Sequence, residues 1–142
     1  MPPKHILVAT DGSGPAARAV ALAATLAKAI GAELRLLTVG SGLGPAEARR
    51  LAHAEGDLGA ALDADAAALL DDAEAVARKN GATRVQRIAA WGDPAETILD
   101  SARDAEMLIL GRRGRGRLTG LLLGSVSQKL VSLAPVPVIV VP

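Results

Sequence analysis

Short apolar runs recur along the chain and predict buried β-strands. His5–Thr10 is a nearly unbroken apolar run, the pattern of a strand that is covered on both faces. Four further runs of this kind follow at wide spacing. They predict strands at Glu33–Val39, Thr83–Ala90, Glu106–Leu110 and Val136–Val141.

The segments between these runs carry apolar residues at helical spacing. A helix over Ala16–Ile30 follows Pro15, which suits a first helical turn, and stops at Gly31. A helix that begins at Asp93 has a capping side chain at its start. The other predicted helices are a short one over Pro45–His53, a long alanine-rich one that ends near Asn80-Gly81, and Ser125–Ala134. The predicted buried faces are Val20, Ala23 or Ala24, Ala27 and Ile30 in the first helix, and Leu58, Leu62, Leu69, Ala73 and Val76 in the long one.

The order of these elements predicts the fold class. Strands that alternate with helices form βαβ units, and therefore a mainly parallel sheet with helices on both faces. We expect an α/β fold with a single doubly wound sheet of five strands in one domain, residues 1–142. In such folds the ligand binds at the carboxyl ends of the strands.

Composition excludes several classes of function. The 142 residues include no cysteine and two histidines, which excludes a disulfide scaffold, a thiolate zinc site and a cysteine nucleophile. Trp91 is the only aromatic residue, so the core is expected to be aliphatic. No apolar run approaches the ~20 residues of a membrane span, and the start of the chain lacks a signal-peptide pattern. These features predict a cytoplasmic protein that does not bind membranes.

The segment from Gly111 to Ser125 carries the strongest chemical signal. It follows the predicted fourth strand, is rich in glycine, and holds four arginines at positions 112, 113, 115 and 117. Glycine lets backbone amides approach a ligand, and the start of the next helix offers unpaired amides and a positive dipole end. Arginine adds charge-assisted donors for phosphate oxygens. The segment is therefore predicted to bind phosphate.

Two common nucleotide motifs do not fit this segment. A Walker P-loop needs Lys-Ser/Thr where Arg117-Leu118 stand, and a dinucleotide fingerprint needs a third glycine that is missing here. A surface connector without any ligand remains an alternative. Ser125 and Gln128 form a capping-box pattern, which would satisfy the start of the helix by itself.

The spacing Gly-x2-Gly-x9-Gly-Ser, at Gly111, Gly114, Gly124 and Ser125, resembles the nucleotide-binding signature of the ATP-binding branch of the universal stress protein family. Three further segments support this resemblance, in the order in which the family's elements follow one another. They are the opening Ile-Leu-Val-Ala-Thr-Asp-Gly-Ser, the Gly-Asp-Pro segment before the third helix and the ending Val-Pro-Val-Ile-Val-Val. The resemblance covers essentially the whole chain. It implies the strand order 3-2-1-4-5.

The resemblance also implies a ligand and a site. The ligand is ATP or a related adenine nucleotide, accompanied by Mg²⁺ or Mn²⁺, with Asp11 reaching the metal only through water. Arg112-Arg113 stand where family members often have a small hydroxyl residue followed by His or Arg, which leaves a more highly charged nucleotide open. The implied base and ribose contacts are Ala9, Thr10 and Asp11, with Val39 at the adenine edge, and Leu110 leads into the glycine segment. The implied phosphate contacts are Gly114, Gly124, Ser125 and Val126, and Gly111 and Arg112 complete the implied nucleotide-binding residues.

The implied function is nucleotide binding with a regulatory role in a stress response. The alternative is a slow ATP hydrolase or a nucleotide-using enzyme of a related α/β fold. Binding is favoured because no catalytic base is evident near the glycine segment. The loop at Thr10–Gly14 also differs from the Ser-Gly-Gly-x-Asp-Ser loop of ATP pyrophosphatases.

The sequence also indicates partners. The strand Val136–Val141 is apolar on both faces yet falls at a sheet edge in the implied order, and an exposed apolar edge invites a second chain. The alternative is that helices bury it. The resemblance favours a homodimer through this strand. Nucleic acid is not expected as a partner, because one short basic loop makes few phosphate contacts and stacking aromatics are absent.

Four further residues each have a structural and a functional interpretation. Asp11 either closes a turn or cap before the first helix, or binds a ribose hydroxyl or metal-bound water. Trp91, placed just past the third strand, is expected to pack at the rim rather than stack on a base. His5 and His53 are expected to be structural or solvent-facing.

Overall fold

The computed structural model describes residues 4–40, 57–112 and 123–142, and for residues 57–63 the backbone alone. These residues form strands and helices that alternate along the chain. The strands are β1 (His5–Ala9), β2 (Glu33–Gly40), β3 (Val85–Trp91), β4 (Met107–Gly111) and β5 (Val138–Val141). The helices are α1 (Gly14–Ile30), α2 (Asp57–Lys79), α3 (Pro94–Ala102) and α4 (Ser125–Leu133). The predicted helix over Pro45–His53 lies outside the described residues.

The five strands form one parallel sheet in the order β3-β2-β1-β4-β5. Val8 of β1 pairs with Leu36 of β2 on one side and with Ile109 of β4 on the other. The structure therefore confirms the predicted fold class and the strand order that the resemblance implied. Because all strands run the same way, all five carboxyl ends lie along one edge of the sheet.

Helix boundaries follow local capping chemistry. Ser13 precedes α1, and its Oγ accepts the amide proton of Ala16 at 3.3 Å. Gly31 ends α1 in the left-handed conformation, with φ at 70°, as predicted. Asp93 caps α3, also as predicted, since its Oδ2 accepts from the amide of Glu96 at 2.9 Å. Each of these residues fixes the point at which its helix begins or ends.

Two aliphatic cores cover the two faces of the sheet. The α1–α2 core joins helix residues such as Val20 and Ala77 to Ile6 and Val8 of β1. The α3–α4 core joins Ile98 and Leu130 to the intervening strand positions, Leu7, Leu37, Leu108 and Leu110. Alternate positions of each central strand therefore face different helix pairs, which explains the continuous apolar runs in the sequence.

The predicted buried faces of two helices need correction. Ile30 is 42% exposed, because α1 ends there and the Gly31 carbonyl accepts from the Arg84 side chain at the surface. Over residues 64–79 of α2 the buried residues are Leu70, Ala77 and, as predicted, Ala73, while the predicted Leu69 and Val76 are only half-buried. The buried stripe of α2 is thus rotated by about one residue from the predicted one. The side chains of the predicted Leu58 and Leu62 lie outside the described residues.

Several strand boundaries also differ from the prediction by one or two residues. β5 begins at Val138 rather than Val136. Pro137 has no amide proton to give to a strand partner, although its carbonyl accepts from the amide of Leu108. β3 extends to Trp91, which was expected just beyond the strand. Trp91 pairs there with Gly40, the last residue of β2.

Charged side chains cluster at the amino edge of the sheet, opposite the expected ligand edge. His5 Nδ1 lies 3.4 Å from Glu33 Oε1, so His5 is a half-buried structural residue, as expected. Arg35 Nη1 donates to Asp104 Oδ2 at 3.0 Å, and this hydrogen bond lowers the pKa of the Asp104 carboxyl below its usual value. This ion-pair cluster keeps the amino edge polar.

The close approach at Gly111 yields a first test of the fold. A Cβ on Gly111 would lie 2.9 Å from Ala16 N and from Pro15 backbone carbon. We expect Gly111→Ala to lower the free energy of unfolding by about 1–3 kcal/mol, because the α1 backbone must shift to admit the methyl group. Chemical denaturation monitored by circular dichroism measures this loss.

Gly14→Ala is the matched control for Gly111→Ala. A Cβ on Gly14 would meet only Arg18 Nη1, at 3.4 Å, which is an ordinary contact. The free energy of unfolding of this variant should stay unchanged or rise by less than about 1 kcal/mol. Equal stability of the two variants would contradict tight packing at Gly111.

Candidate functional site

The carboxyl ends of β1 and β4 form a crevice, because the chain leaves these neighbouring strands toward opposite faces. α1 follows β1 and packs in the α1–α2 core, whereas α4 follows β4 and packs in the α3–α4 core. The order of the sheet also reverses between these two strands. A crevice at such a point is where open α/β sheets bind ligands.

The turn after β1 uses its own polar groups to cap α1. The Asp11 side chain accepts from the amide of Ser13 at 2.9 Å, and Thr10 Oγ1 accepts from the amide of Gly12 at 3.2 Å. Gly12 has a φ of 81°, which a side chain would disfavour. The structural interpretation of Asp11 as a turn-forming residue is therefore confirmed, and the start of α1 is capped from within.

A backbone hydrogen bond joins the residue that follows β4 to the residue that precedes α4. The amide of Gly124 donates to the carbonyl of Arg112 at 3.1 Å, and the amide of Arg112 donates to Val141 in β5 at 2.6 Å. Ser127 Oγ adds a 3.0 Å hydrogen bond to the carbonyl of Gly111. These contacts tie the start of α4 directly to the ends of β4 and β5.

The start of α4, unlike that of α1, has no side-chain cap among the described residues. Gly124 is the capping residue and lacks a side chain, and Ser125 is already the first helical residue. The predicted capping box of Ser125 with Gln128 is therefore wrong. Gln128 instead donates from its side chain to the carbonyl of Leu123 at 3.1 Å.

The first amides of α4 consequently have no acceptor among the described residues. In an α-helix the amides of the first turn have no intrahelical acceptor, which here applies to Ser125, Val126 and Ser127. Ser125 and Val126 are exposed. The dipole of the helix adds partial positive charge at this point, and Arg112 adds a full charge on the adjoining strand end. The arrangement favours an anion.

Gly111 lies against the start of α1 at this crevice. With no Cβ at this residue, β4 approaches Pro15 and Ala16 to within van der Waals contact. Arg18 on α1 reaches across, and its Nε donates to the Pro142 carbonyl at 2.7 Å. Two arginines, Arg18 and Arg112, thus lie on the β5 side of the crevice.

The described residues contain no cluster of three or more histidine, cysteine, aspartate or glutamate side chains that could hold a metal ion. Over the same ranges, every helix is too short or too polar to cross a lipid bilayer.

Comparison with known proteins identifies the family. The sequence model of the Universal stress protein family matches residues 2–142. The chain belongs to the universal stress protein family. A universal stress protein from Thermus aquaticus is 38% identical to it, over 97% of this chain and 98% of the relative.

Solved structures agree with this assignment. The hypothetical protein MJ0577 superimposes with a TM-score of 0.80 at 28% identity, over 97% of this chain and 94% of that one. A universal stress protein crystallised in complex with cAMP superimposes with a TM-score of 0.71 at 27% identity, over 97% and 95% of the two chains. This chain resembles both proteins in fold.

The universal stress protein fold brings most of the predicted site residues to one edge. The residues at the ends of β1, β2 and β4 and at the start of α4 are Ala9, Thr10, Asp11, Val39, Leu110, Gly111, Arg112, Gly124, Ser125 and Val126. Thr10 and Leu110 are buried, which leaves mainly their backbones to face the edge. Gly114 lies outside the described residues.

Sequence reasoning missed the part played by Ser127. It is 5% exposed on the buried side of α4, one turn before the buried Leu130, and its hydroxyl anchors the helix to Gly111. A serine at an apolar position of a helical pattern was the available signal, because a buried hydroxyl needs a partner.

Proposed function

We propose that this universal stress protein binds ATP or a related adenine nucleotide at the carboxyl edge of the sheet and acts as a regulatory protein in a stress response. The observation that carries the proposal is the uncapped start of α4 at the crevice, flanked by Gly111 and Gly124. The complex of a 27% identical universal stress protein with cAMP supports an adenine nucleotide as the class of ligand.

The phosphates bind at the start of α4 in this proposal. The amides of Ser125 and Val126 donate to phosphate oxygens, the Ser125 hydroxyl adds a donor, and Arg112 supplies positive charge. Gly124 allows close approach, and Gly114 contributes from the segment that follows Arg112. Each hydrogen bond to a charged group contributes roughly 1.5–3 kcal/mol. Three or four of them with base burial reach micromolar affinity, which requires about −8 kcal/mol.

The base and ribose extend from this point toward β2. Thr10 and Asp11 follow β1, and the amide of Thr10 donates to Leu37 of β2, so these two strand ends are held together. Val39 lies two residues further along β2, at the adenine edge in this proposal. Asp11 contacts a ribose hydroxyl, or a water on a phosphate-bound Mg²⁺ or Mn²⁺.

A homodimer through β5 is the second part of the proposal. β5 is the edge strand of the sheet, pairs only with β4 among the described strands, and all four of its residues are half-buried. On the adjoining helix α4, Val131 and Leu133 are 48% and 58% exposed. An unpaired strand edge beside exposed apolar side chains favours pairing with a second copy.

Mass spectrometry tests which small molecule the protein binds. The protein is purified under gentle conditions, denatured, and the released small molecules are weighed. We expect an adenine nucleotide, and titration calorimetry of the ligand-free protein with ATP should give micromolar affinity. Absence of released nucleotide together with no heat on ATP addition would refute the proposal.

Asp11→Ala tests the ribose or metal contact. We expect nucleotide affinity in calorimetry to fall several-fold, because a hydrogen bond to the sugar or to metal-bound water is lost. Asp104→Ala is the control: it removes the same charge at the opposite edge of the sheet, where the carboxyl is 71% exposed, and should leave affinity unchanged. Equal affinity of Asp11→Ala and the parent would remove Asp11 from the site.

Val140→Lys tests the dimer. A lysine in the middle of β5 should turn a dimer into a monomer in light scattering, since a charged side chain on an edge strand opposes pairing with a second strand. Ile30→Lys places the same charge at the end of α1, near Arg84 and β3, and should leave the mass unchanged. A dimer in both variants, each with native circular dichroism, would exclude this interface.

A further inference from the structure

Trp91 is fixed over the end of β2, next to the proposed base site. It pairs in register with Gly40, and the amide of Gly92 donates to the Gly40 carbonyl at 3.2 Å. A Cβ on Gly40 would lie 2.0 Å from Trp91 Cε3 and Cζ3. The six-membered ring of the indole therefore occupies the space that a side chain at Gly40 would fill.

The position of Trp91 is not explained by the core. Among the described residues it belongs to neither the α1–α2 core nor the α3–α4 core, and it remains 44% exposed. It is the only aromatic residue of the chain, in a fold otherwise built from aliphatic side chains. A large aromatic surface that is held in place yet left open to solvent is suited to contact with a ligand.

The ring and the turn after β1 stand on the same side of the sheet. Side chains alternate along a strand, so Trp91 shares a face with Val85, which packs against the α1–α2 core. Thr10 shares this face with Ile6 and Val8. Because the chain enters α1 on this side, the Asp11 turn and the indole both lie toward the α1–α2 face at the carboxyl edge.

The distance between the turn after β1 and the indole ring suits a purine base. Neighbouring strands lie about 4.8 Å apart, so the ends of β1 and β3 are separated by roughly 10 Å, with β2 between them. The indole leans over β2, which shortens this gap to about one strand spacing. The Val39 side chain packs on the α3–α4 side, so the contact with a base at this residue is made by its backbone. A purine whose ribose lies at Asp11 and whose edge lies at the Val39 backbone reaches the ring.

We infer that Trp91 is a stacking platform for the adenine base, a contact that gives the site a preference for a base over phosphate alone. This inference rests on the proposed nucleotide site. Stacking of a base on an aromatic side chain strengthens binding about tenfold or more, and it acts on the base while leaving the phosphate contacts untouched. The ring also covers Gly40. If Trp91 had only a structural role, that role would be limited to this contact with Gly40.

The first measurement uses the unmodified protein. Trp91 is the only tryptophan, so its fluorescence and its quenching by acrylamide report on this ring alone. We expect saturating ATP to change the emission and to reduce acrylamide access. Inorganic tripolyphosphate, at a concentration that displaces ATP, should do neither.

The second measurement uses two variants, each checked for folding by circular dichroism. Trp91→Leu should bind ATP about tenfold more weakly in calorimetry, while its affinity for tripolyphosphate equals that of the parent. Trp91→Phe, which keeps an aromatic face, should recover most of the ATP affinity.

The other outcomes separate this inference from the proposed function. If ATP binds but leaves Trp91 emission and access unchanged, the stacking role is wrong and the nucleotide site stands. An equal loss of ATP and tripolyphosphate affinity in Trp91→Leu would show that Trp91 only supports the local structure. If the parent binds neither compound, both the stacking role and the proposed function fail.

Discussion

The contact between Gly111 and the start of α1 is the constraint on which the site depends. A side chain at this residue would collide with the backbone of Pro15 and Ala16, so glycine alone lets β4 end so close to α1. The same residue accepts the hydroxyl hydrogen bond of Ser127, which fixes α4. Gly111 therefore contacts α1 directly and holds α4 through Ser127, so the starts of both helices are fixed at the end of β4.

The two helices at this crevice differ in how their first turns are satisfied. Ser13 caps α1 with its own side chain, and Asp11 tightens the preceding turn. The capping residue before α4 is Gly124, which has no side chain to offer. An uncapped helix start at an exposed edge costs stability unless water or a ligand satisfies its amides. This asymmetry is the physical basis for placing phosphate at α4 rather than at α1.

Much of the fold could be predicted from the sequence because strong local signals agreed. The apolar runs, Gly31 after the first helix and Asp93 before the third each specify a boundary by local chemistry, and the structure confirms them. Ile30 and Leu69 were wrongly assigned to buried faces, since helical spacing alone does not reveal where a helix passes the edge of the sheet or how it is rotated on it.

The candidate site was harder to predict, because its geometry depends on contacts between distant segments. The Ser125 and Gln128 pattern suggested a capping box, yet Gly124 takes the capping position and Gln128 turns to Leu123. The pairing of Trp91 with Gly40 depends on strand register, which neither segment specifies alone. Motif spacing marked the candidate residues along the chain, whereas their mutual arrangement came from the tertiary structure.

The central claim is that the open amides of α4 receive the phosphates, and amide chemical shifts measure this directly. In a titration of isotope-labelled protein with ATP, followed by NMR, the largest shifts should fall on Ser125, Val126 and Ser127. Ala16 and Ala17, whose amides are already bonded to Ser13 at the start of α1, should move less. Saturable ATP binding with unmoved α4 amides, or with equal shifts at both helix starts, would contradict the account.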